Sequence, residues 1–176
     1  NYFATALQEN KVLEQLDLSD NPISGEGVSS IAEAARTHPS LVSIKLDGKA
    51  LPISQLRGAK GAEPTLDVSD WGLGDLSGYT IGIVAKLNRT MLSLNLKSNP
   101  LGAQGLKAVV SGLGETPLKA LDLTRTGVGS EAAEVVEQLC VSICRHLGAL
   151  VDLRMDENEL DCPATALAPL CKLRNL

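Results

Sequence analysis

Apolar residues return in a fixed order along this chain. The clearest stretch is Leu13-Glu14-Gln15-Leu16-Asp17-Leu18-Ser19-Asp20-Asn21-Pro22-Ile23, apolar at places 1, 4, 6 and 11 with Asn at place 9. Met91, Leu94, Leu96, Asn99 and Leu101 repeat it, as do Leu150, Leu153, Met155, Asn158 and Leu160. Leu118, Leu121, Leu123 and Val128 fit with Thr126 at place 9, and Leu41, Ile44, Leu46 and Leu51 fit with Lys49 there. A weaker copy has Leu66, Val68 and Leu73, with Glu63 first and Trp71 ninth. The copies start near 13, 41, 63, 91, 118 and 150, and Leu173 and Leu176 open a seventh that the sequence does not complete. Self-similarity at such a period is the mark of a repeat architecture. Residues 1–176 are therefore expected to form a single repeat segment, part of a longer chain.

Within each copy, places 4 and 6 share one face and place 5 the other, which predicts a short strand. The six strands are expected at 16–18, 44–46, 66–68, 94–96, 121–123 and 153–155. So short a strand is not stable alone. It becomes stable beside its counterpart in the next copy, in a parallel sheet whose crossovers are helices. The intervals supply those helices. Val28, Ile31, Ala32 and Ala35 line one face, and so do Leu106, Val109, Val110 and Leu113. Ser130 is placed to cap a third helix, with Glu134 in its second turn and Val135, Val136, Leu139, Ile143 and Leu147 facing inward. Asn21, Asn99 and Asn158 are expected to satisfy backbone groups inside the turn after each strand. Trp71 and Lys49 cannot accept those hydrogen bonds, so this ladder should break at the second and third copies. The step from 41 to 63 is also too short for a full helix, and Gly58 and Gly61 interrupt it. Irregularity should concentrate between 49 and 80.

These units resemble leucine-rich repeats, and the steps near 28 resemble the ribonuclease-inhibitor-like subclass. The resemblance covers nearly the whole chain. It implies an α/β fold: a right-handed leucine-rich-repeat solenoid, a horseshoe segment with a parallel concave sheet and convex helices.

Composition narrows the function. The only Phe, Tyr or Trp residues are Tyr2, Phe3, Trp71 and Tyr79, too few for nucleic-acid binding by base stacking. The net charge is −5 and the basic residues are scattered, which argues against a nucleic-acid backbone or an anionic membrane surface. No apolar run is long enough for membrane insertion. Cys140, Cys144, Cys162 and Cys171 lack zinc-ligand spacing, and Cys140 and Cys144, four apart in an apolar helical stretch, read as small buried packing groups, which suits an intracellular, cytoplasmic setting. Asn88-Arg89-Thr90 matches a glycosylation sequon, a match common by chance. His38 and His146 form no nucleophilic set, and no phosphate-binding loop is present. No catalytic residue, metal site or cofactor is expected.

Places 2, 3, 5, 7 and 8 should flank or face out from the strands. They hold Glu14, Asp17, Asp20, Asp47, Asp67, Asp70, Asp122, Asp152, Asp156 and Glu157 against Lys45, Lys97, Lys119, Arg125 and Arg154. Ten carboxylates against five cations is the chain's whole net charge of −5. Place 5 reads Asp17, Lys45, Asp67, Asn95, Asp122 and Arg154. With Trp71, these are the candidate partner-binding residues of the concave face. A wall biased to one sign steers a partner of basic or mixed charge; a polar sheet face also serves solubility alone. Trp71 suits an interface anchor or the packing of an irregular copy. The expected function is a non-catalytic protein-protein interaction scaffold, a subunit of a larger complex. The resemblance adds two alternatives: a regulator of an enzyme, as inhibitor or GTPase activator, or the sensor array of an innate-type receptor.

Overall fold

A computed structural model of the chain describes residues 2–128, 133–160 and 164–173, without the side chain of Lys172. The Ser130 cap, Cys162 and Leu176 lie outside the described residues. The elements alternate in chain order: α1 Tyr2–Glu9, β1 Gln15–Asp17, α2 Gly25–Thr37, β2 Ser43–Lys45, β3 Leu51–Pro52, the single turn α3 Ile53–Leu56, β4 Thr65–Asp67, α4 Asp75–Ala85, β5 Ser93–Asn95, α5 Gly102–Gly112, β6 Ala120–Asp122, α6 Ala133–His146, β7 Asp152–Arg154 and α7 Ala164–Leu167. Short 3₁₀ turns follow α5 and α7.

Each predicted strand is present, one residue earlier than its apolar pattern suggested. The place-4 residue is at its centre and the place-5 residue ends it. Register is strict: Leu16 pairs with Ile44, and Leu66, Leu94, Leu121 and Leu153 form one row. In the second, fourth and fifth copies places 1, 4 and 6 are buried, as with Leu41, Ile44 and Leu46 or Met91, Leu94 and Leu96, whereas the third copy buries Leu66 and Val68 and leaves Glu63 at place 1 exposed. In the first and last copies Leu16, Leu18, Leu153 and Met155 are only half-buried, at the ends of the described stack.

The sheet is not continuous, a correction to the expected six-stranded parallel wall. β1 and β2 pair in parallel, and β4, β5, β6 and β7 form a second, all-parallel sheet. Between them β3 folds back antiparallel onto β2, with Ile44 opposite Leu51 and Ser43 opposite Pro52. The short second step causes this. Gly48 turns the chain at φ +54, where an added Cβ would meet the Trp71 carbonyl oxygen at 2.2 Å. The returning Leu51 and Pro52 then occupy the β2 edge that the third copy would have taken. Pro52 has no N–H to donate, which fits a strand that pairs on one side only.

The helix layer continues where the sheet is interrupted: α1 packs on α2, α2 on α4, α4 on α5 and α5 on α6, so the one-turn α3 is bypassed. Tyr79 of α4 reaches the space beside Gly25, the first residue of α2. α4 and α5 approach closest, because Gly78, Gly82, Gly105 and Gly112 bring backbone against backbone. The irregular stretch is thus narrower than expected. It ends before β4, and α4 is a regular helix of 11 residues.

Place 8 adopts the left-handed conformation in every copy: Asp20, Gly48, Asp70, Ser98, Arg125 and Glu157 have φ between 53 and 59. Only the second copy puts the permissive residue there. The other copies carry the cost of a non-glycine residue in this region, which the paired strands on either side impose.

Candidate interaction surface

Each turn after a strand contains inward-facing backbone groups that the next copy must satisfy. Asn99 is fully buried and makes five hydrogen bonds. Its Nδ2 donates to the carbonyls of Val68, Leu96 and Lys97, and its Oδ1 accepts from the amides of Trp71 and Leu73. Asn158 does the same for Leu123, Thr126 and Gly127. The ladder therefore acts on its own turn and on the turn one copy upstream. This corrects the expected break at the third copy: Trp71 occupies the Asn place, yet Asn99 serves its amide. The consequence of having Trp71 there falls on the second copy, whose Lys49 amide donates instead to the Trp71 carbonyl at 2.9 Å. Asn21, in the first copy, is exposed, and among the described residues its side chain bonds the carbonyls of Leu18 and Ser19.

On the open side of the sheets, cross-strand register sets the place-5 residues side by side. Asp67, Asn95, Asp122 and Arg154 form one row, and Asp17 and Lys45 a second on the other sheet. Asp17, Asp67, Asn95 and Asp122 each accept from the backbone amide two residues on, at 2.9, 2.9, 3.0 and 2.9 Å. Part of their acceptor capacity thus shapes the turn, a structural role that the spacing of Asp or Asn at place 5 could have disclosed. The Ser69 amide, the Ser69 hydroxyl and the Asn95 side chain keep the Asp67 carboxyl below its ordinary pKa against a smaller opposing effect of burial. The Ser19 hydroxyl does so for Asp17, with lesser help from its amide and from Lys45.

The cations of this face are largely paired within it. Lys45 meets Asp17 at 3.4 Å, Arg154 meets Asp152 at 3.1 Å, and Arg125 pairs with Glu157. Such exposed pairs contribute little to stability. Asp67, Asp70, Asp122 and Asp156 are in no salt bridge among the described residues. Over places 2, 3, 5, 7 and 8 the second sheet carries six carboxylates against four cations and the first sheet four against one, so the acidic excess spans both sheets. Of these carboxylates, Asp47 leaves the sheet face. Its carboxylate turns to the N-terminus of α4, accepting from the Ser77 amide at 3.3 Å and from the Ser77 hydroxyl. There it meets the positive end of the helix.

A shallow depression of about 170 Å³ lies over β5, β6 and β7, bounded by Asn95, Asp122, Asp152 and Arg154, with small Ser93 and Ala120 beneath. It is below the size of pockets that enclose small ligands. Trp71 is half-buried against the core and the Lys49 ammonium stands 5.6 Å from its ring centre. It stands in the turn after β4, and its carbonyl accepts from the Lys49 amide of the second copy.

Two features were not foreseen from the sequence. Place 2 is apolar in three copies, and Val42, Leu92 and Val151 are 48%, 44% and 53% exposed. Successive place-2 backbones are hydrogen-bonded, Leu92 to Pro64, Lys119 to Leu92 and Val151 to Lys119, so Leu92 and Val151 flank Lys119 along one rim of the second sheet. The other feature is Asn88, which is buried and bonds the carbonyls of Gln55 and Leu56 and the amides of Thr90 and Met91. The sequon match is thus a structural asparagine. Asn10, His38 and Asn88 all stand three residues before place 1, a spacing that could have revealed them.

No group of three or more His, Cys, Asp or Glu side chains is placed to hold a metal ion among the described residues. No helix there is long and apolar enough to cross a membrane. The family model described as Leucine Rich repeat matches residues 9–32 and 87–110. A comparison with curated proteins finds no match. Among solved structures, the leiomodin-1 fragment titled Actin-Binding Site 2 is similar at TM-score 0.51 and 15% identity, over 97% of this chain and 84% of that one. The tropomodulin C-terminal domain of Caenorhabditis elegans aligns at TM-score 0.39 and 14% identity, over 96% and 90%. The likeness to the leiomodin-1 fragment is one of fold.

Proposed function

We propose that this chain, a leucine-rich repeat protein of the ribonuclease-inhibitor-like kind, is a non-catalytic interaction scaffold that engages a protein partner through the open face of its second sheet. Residues 1–176 act as one repeat segment of a right-handed horseshoe with strands on the inner, concave wall, working inside a larger assembly in the cytoplasm. One observation carries the proposal: Asp67, Asn95, Asp122 and Arg154 stand in a single row, with neither Asp held in a salt bridge among the described residues, beside the exposed rim of Leu92 and Val151. Charge on such a row speeds encounter, and a neighbouring apolar strip supplies area that is buried on docking. The matching partner presents basic side chains bordered by apolar ones. Leiomodin-1's fragment shares the fold at 15% identity, which supports the architecture and leaves the partner to the chemistry of this face.

The test uses the immobilised chain to capture partners from its native source, at two ionic strengths, beside a variant carrying both Asp67→Lys and Asp122→Lys. Each replacement removes the hydrogen bond to the amide two residues on but buries no charge, so the fold should persist with a modest loss of stability, checked by circular dichroism and urea unfolding. The expected result is a partner whose association slows in high salt and slows further with the variant, while dissociation changes less. Identical capture by parent and variant at every salt concentration would remove this face from consideration.

A further inference from the structure

Asn10, His38 and Asn88 do one job in three copies: each accepts hydrogen bonds from the two amides that lead into place 1. Asn10 Oδ1 takes Val12 and Leu13 at 2.9 and 2.8 Å, and Asn88 Oδ1 takes Thr90 and Met91 at 2.8 Å each. His38 Nδ1 takes Ser40 and Leu41 at 3.3 and 3.0 Å. Of these acceptors only the imidazole gains a proton near neutral pH. Because Nδ1 accepts, the neutral ring carries its proton on Nε2. The residue is 2% exposed, and Nε2 makes no hydrogen bond of ordinary length and angle among the described residues, with the Asn10 backbone close enough to act on the ring.

The turn that this ring organises is a node. Arg57, which follows α3, donates from Nη2 to the Leu41 carbonyl at 2.6 Å and from Nη1 to the His38 carbonyl. Ser40 Oγ donates to the carbonyls of Lys11 and Leu13 at 2.9 and 3.1 Å. Residues 38–41 thus tie the first copy, β2 and the inserted β3–α3 segment together. The charged groups that face the ring are Lys11, from the stretch before β1, and Arg57, from the insertion; both are positive. Burial first, and then these two cations, hold the His38 pKa below its ordinary 6.5, with only the Asn10 backbone acting the other way.

We propose that His38 is an acid-sensitive latch on the joint between the two sheets. A proton taken from water onto Nδ1 sets an N–H against two amide N–H groups and adds a third positive charge beside Arg57 and Lys11. The 38–41 turn opens, Arg57 loses its two carbonyls, and β3 and α3 detach from β2 while the α4–α5–α6 stack stays folded. The sign follows from linkage. The folded state favours the neutral ring, so the latch is fully closed above 6.5, the unfolded value. It weakens as pH falls from there and levels off below the folded-state pKa, by at most tenfold in closing equilibrium per pH unit.

Native-state hydrogen exchange between pH 7.5 and 5, corrected for the intrinsic rate of each amide, tests this on the parent and on His38→Asn. Asn restores at this place the acceptor that the first and fourth copies use, without a titrating group. Protection at Ser40, Leu41, Ile53 and Arg57 should fall in the parent as pH drops below 6.5, up to tenfold per unit, with α4 and α5 amides unchanged. In His38→Asn it should stay flat. Flat protection in the parent, or an equal fall in both proteins, overturns the latch. Should His38→Asn fail to fold, ring nitrogen and carbon shifts of the parent decide. An Nε2-protonated ring titrating below 6.5 together with the local loss of protection supports the latch, and an Nδ1-protonated ring or titration at or above 6.5 refutes it.

Discussion

Replacing Gly82 with Ala sets two effects of opposite sign against each other. In an exposed helix interior the change stabilises by about 1 kcal/mol, because Ala has the higher helix propensity. Here a Cβ on Gly82 would stand 2.2 Å from the Ala108 carbonyl oxygen, 2.7 Å from its carbon and 3.2 Å from the Val109 nitrogen. Ordinary carbon–oxygen contact requires about 1 Å more, so α4 and α5 must move apart by roughly that distance. The neighbouring approaches of Gly78 to Gly105 and Gly82 to Gly112 would open with them, and gaps of 0.5–1 Å forfeit about a quarter to a half of each dispersion contact. Overpacking of this kind costs about 1–3 kcal/mol or more, and opening the rest of the helix seam brings the total near the upper end. The net expectation is a loss of about 1–2 kcal/mol, or roughly 2–8 °C in Tm for a chain of this length. Reversible urea and thermal unfolding followed by circular dichroism would measure it. Gly25→Ala serves as the control, since its Cβ meets nothing nearer than Tyr79 at 3.8 Å. A Gly82→Ala protein as stable as the parent, with unchanged urea dependence, would refute the close helix contact.

Asn99→Ala should cost about 3–5 kcal/mol, because it strands up to five backbone groups inside the stack, whereas Asn21→Ala, whose bonds are exposed, should cost less than about 0.5 kcal/mol. Comparable losses at the two positions in urea unfolding would show that the ladder does not work through burial. Asn88→Ala should lower stability by about 2–4 kcal/mol, since the carbonyls of Gln55 and Leu56 and the amides of Thr90 and Met91 lose their partner together. Hydrogen exchange should place the first opening in that variant between Leu51 and Pro64; protection lost first in α5 would contradict it. Asp47→Asn should weaken the start of α4 by about 0.5–1 kcal/mol through loss of charge at a helix N-terminus, seen as faster exchange at Ser77 and Gly78; unchanged exchange there would refute the assignment.

The recurrence of apolar residues at places 1, 4 and 6 and of Asn at place 9 determined the six repeat strands, their inward faces, the inward faces of α2, α5 and α6, and the buried role of Asn99 and Asn158. Those properties are local. A period-2 triplet and a period-3.6 run each declare which side is apolar, and the repeat fixes how far apart they fall. The shared place of Asn10, His38 and Asn88 and the Asp or Asn at place 5 were equally present in the letters. Their work on amides two or three residues ahead emerged only with the turns in view. Other features depend on which backbone edge arrives beside which. That β2 receives Leu51–Pro52 in place of β4, that Asn99 serves the turn around Trp71, and that Asp47 leaves the sheet face for α4 are contacts between residues 7 to 31 positions apart. The short step from 41 to 63 announced an irregularity without its form. A strand edge accepts any chain that presents matching N–H and C=O groups, so the segment that pairs with β2 is known only from the packed structure, in which α2 lies directly on α4.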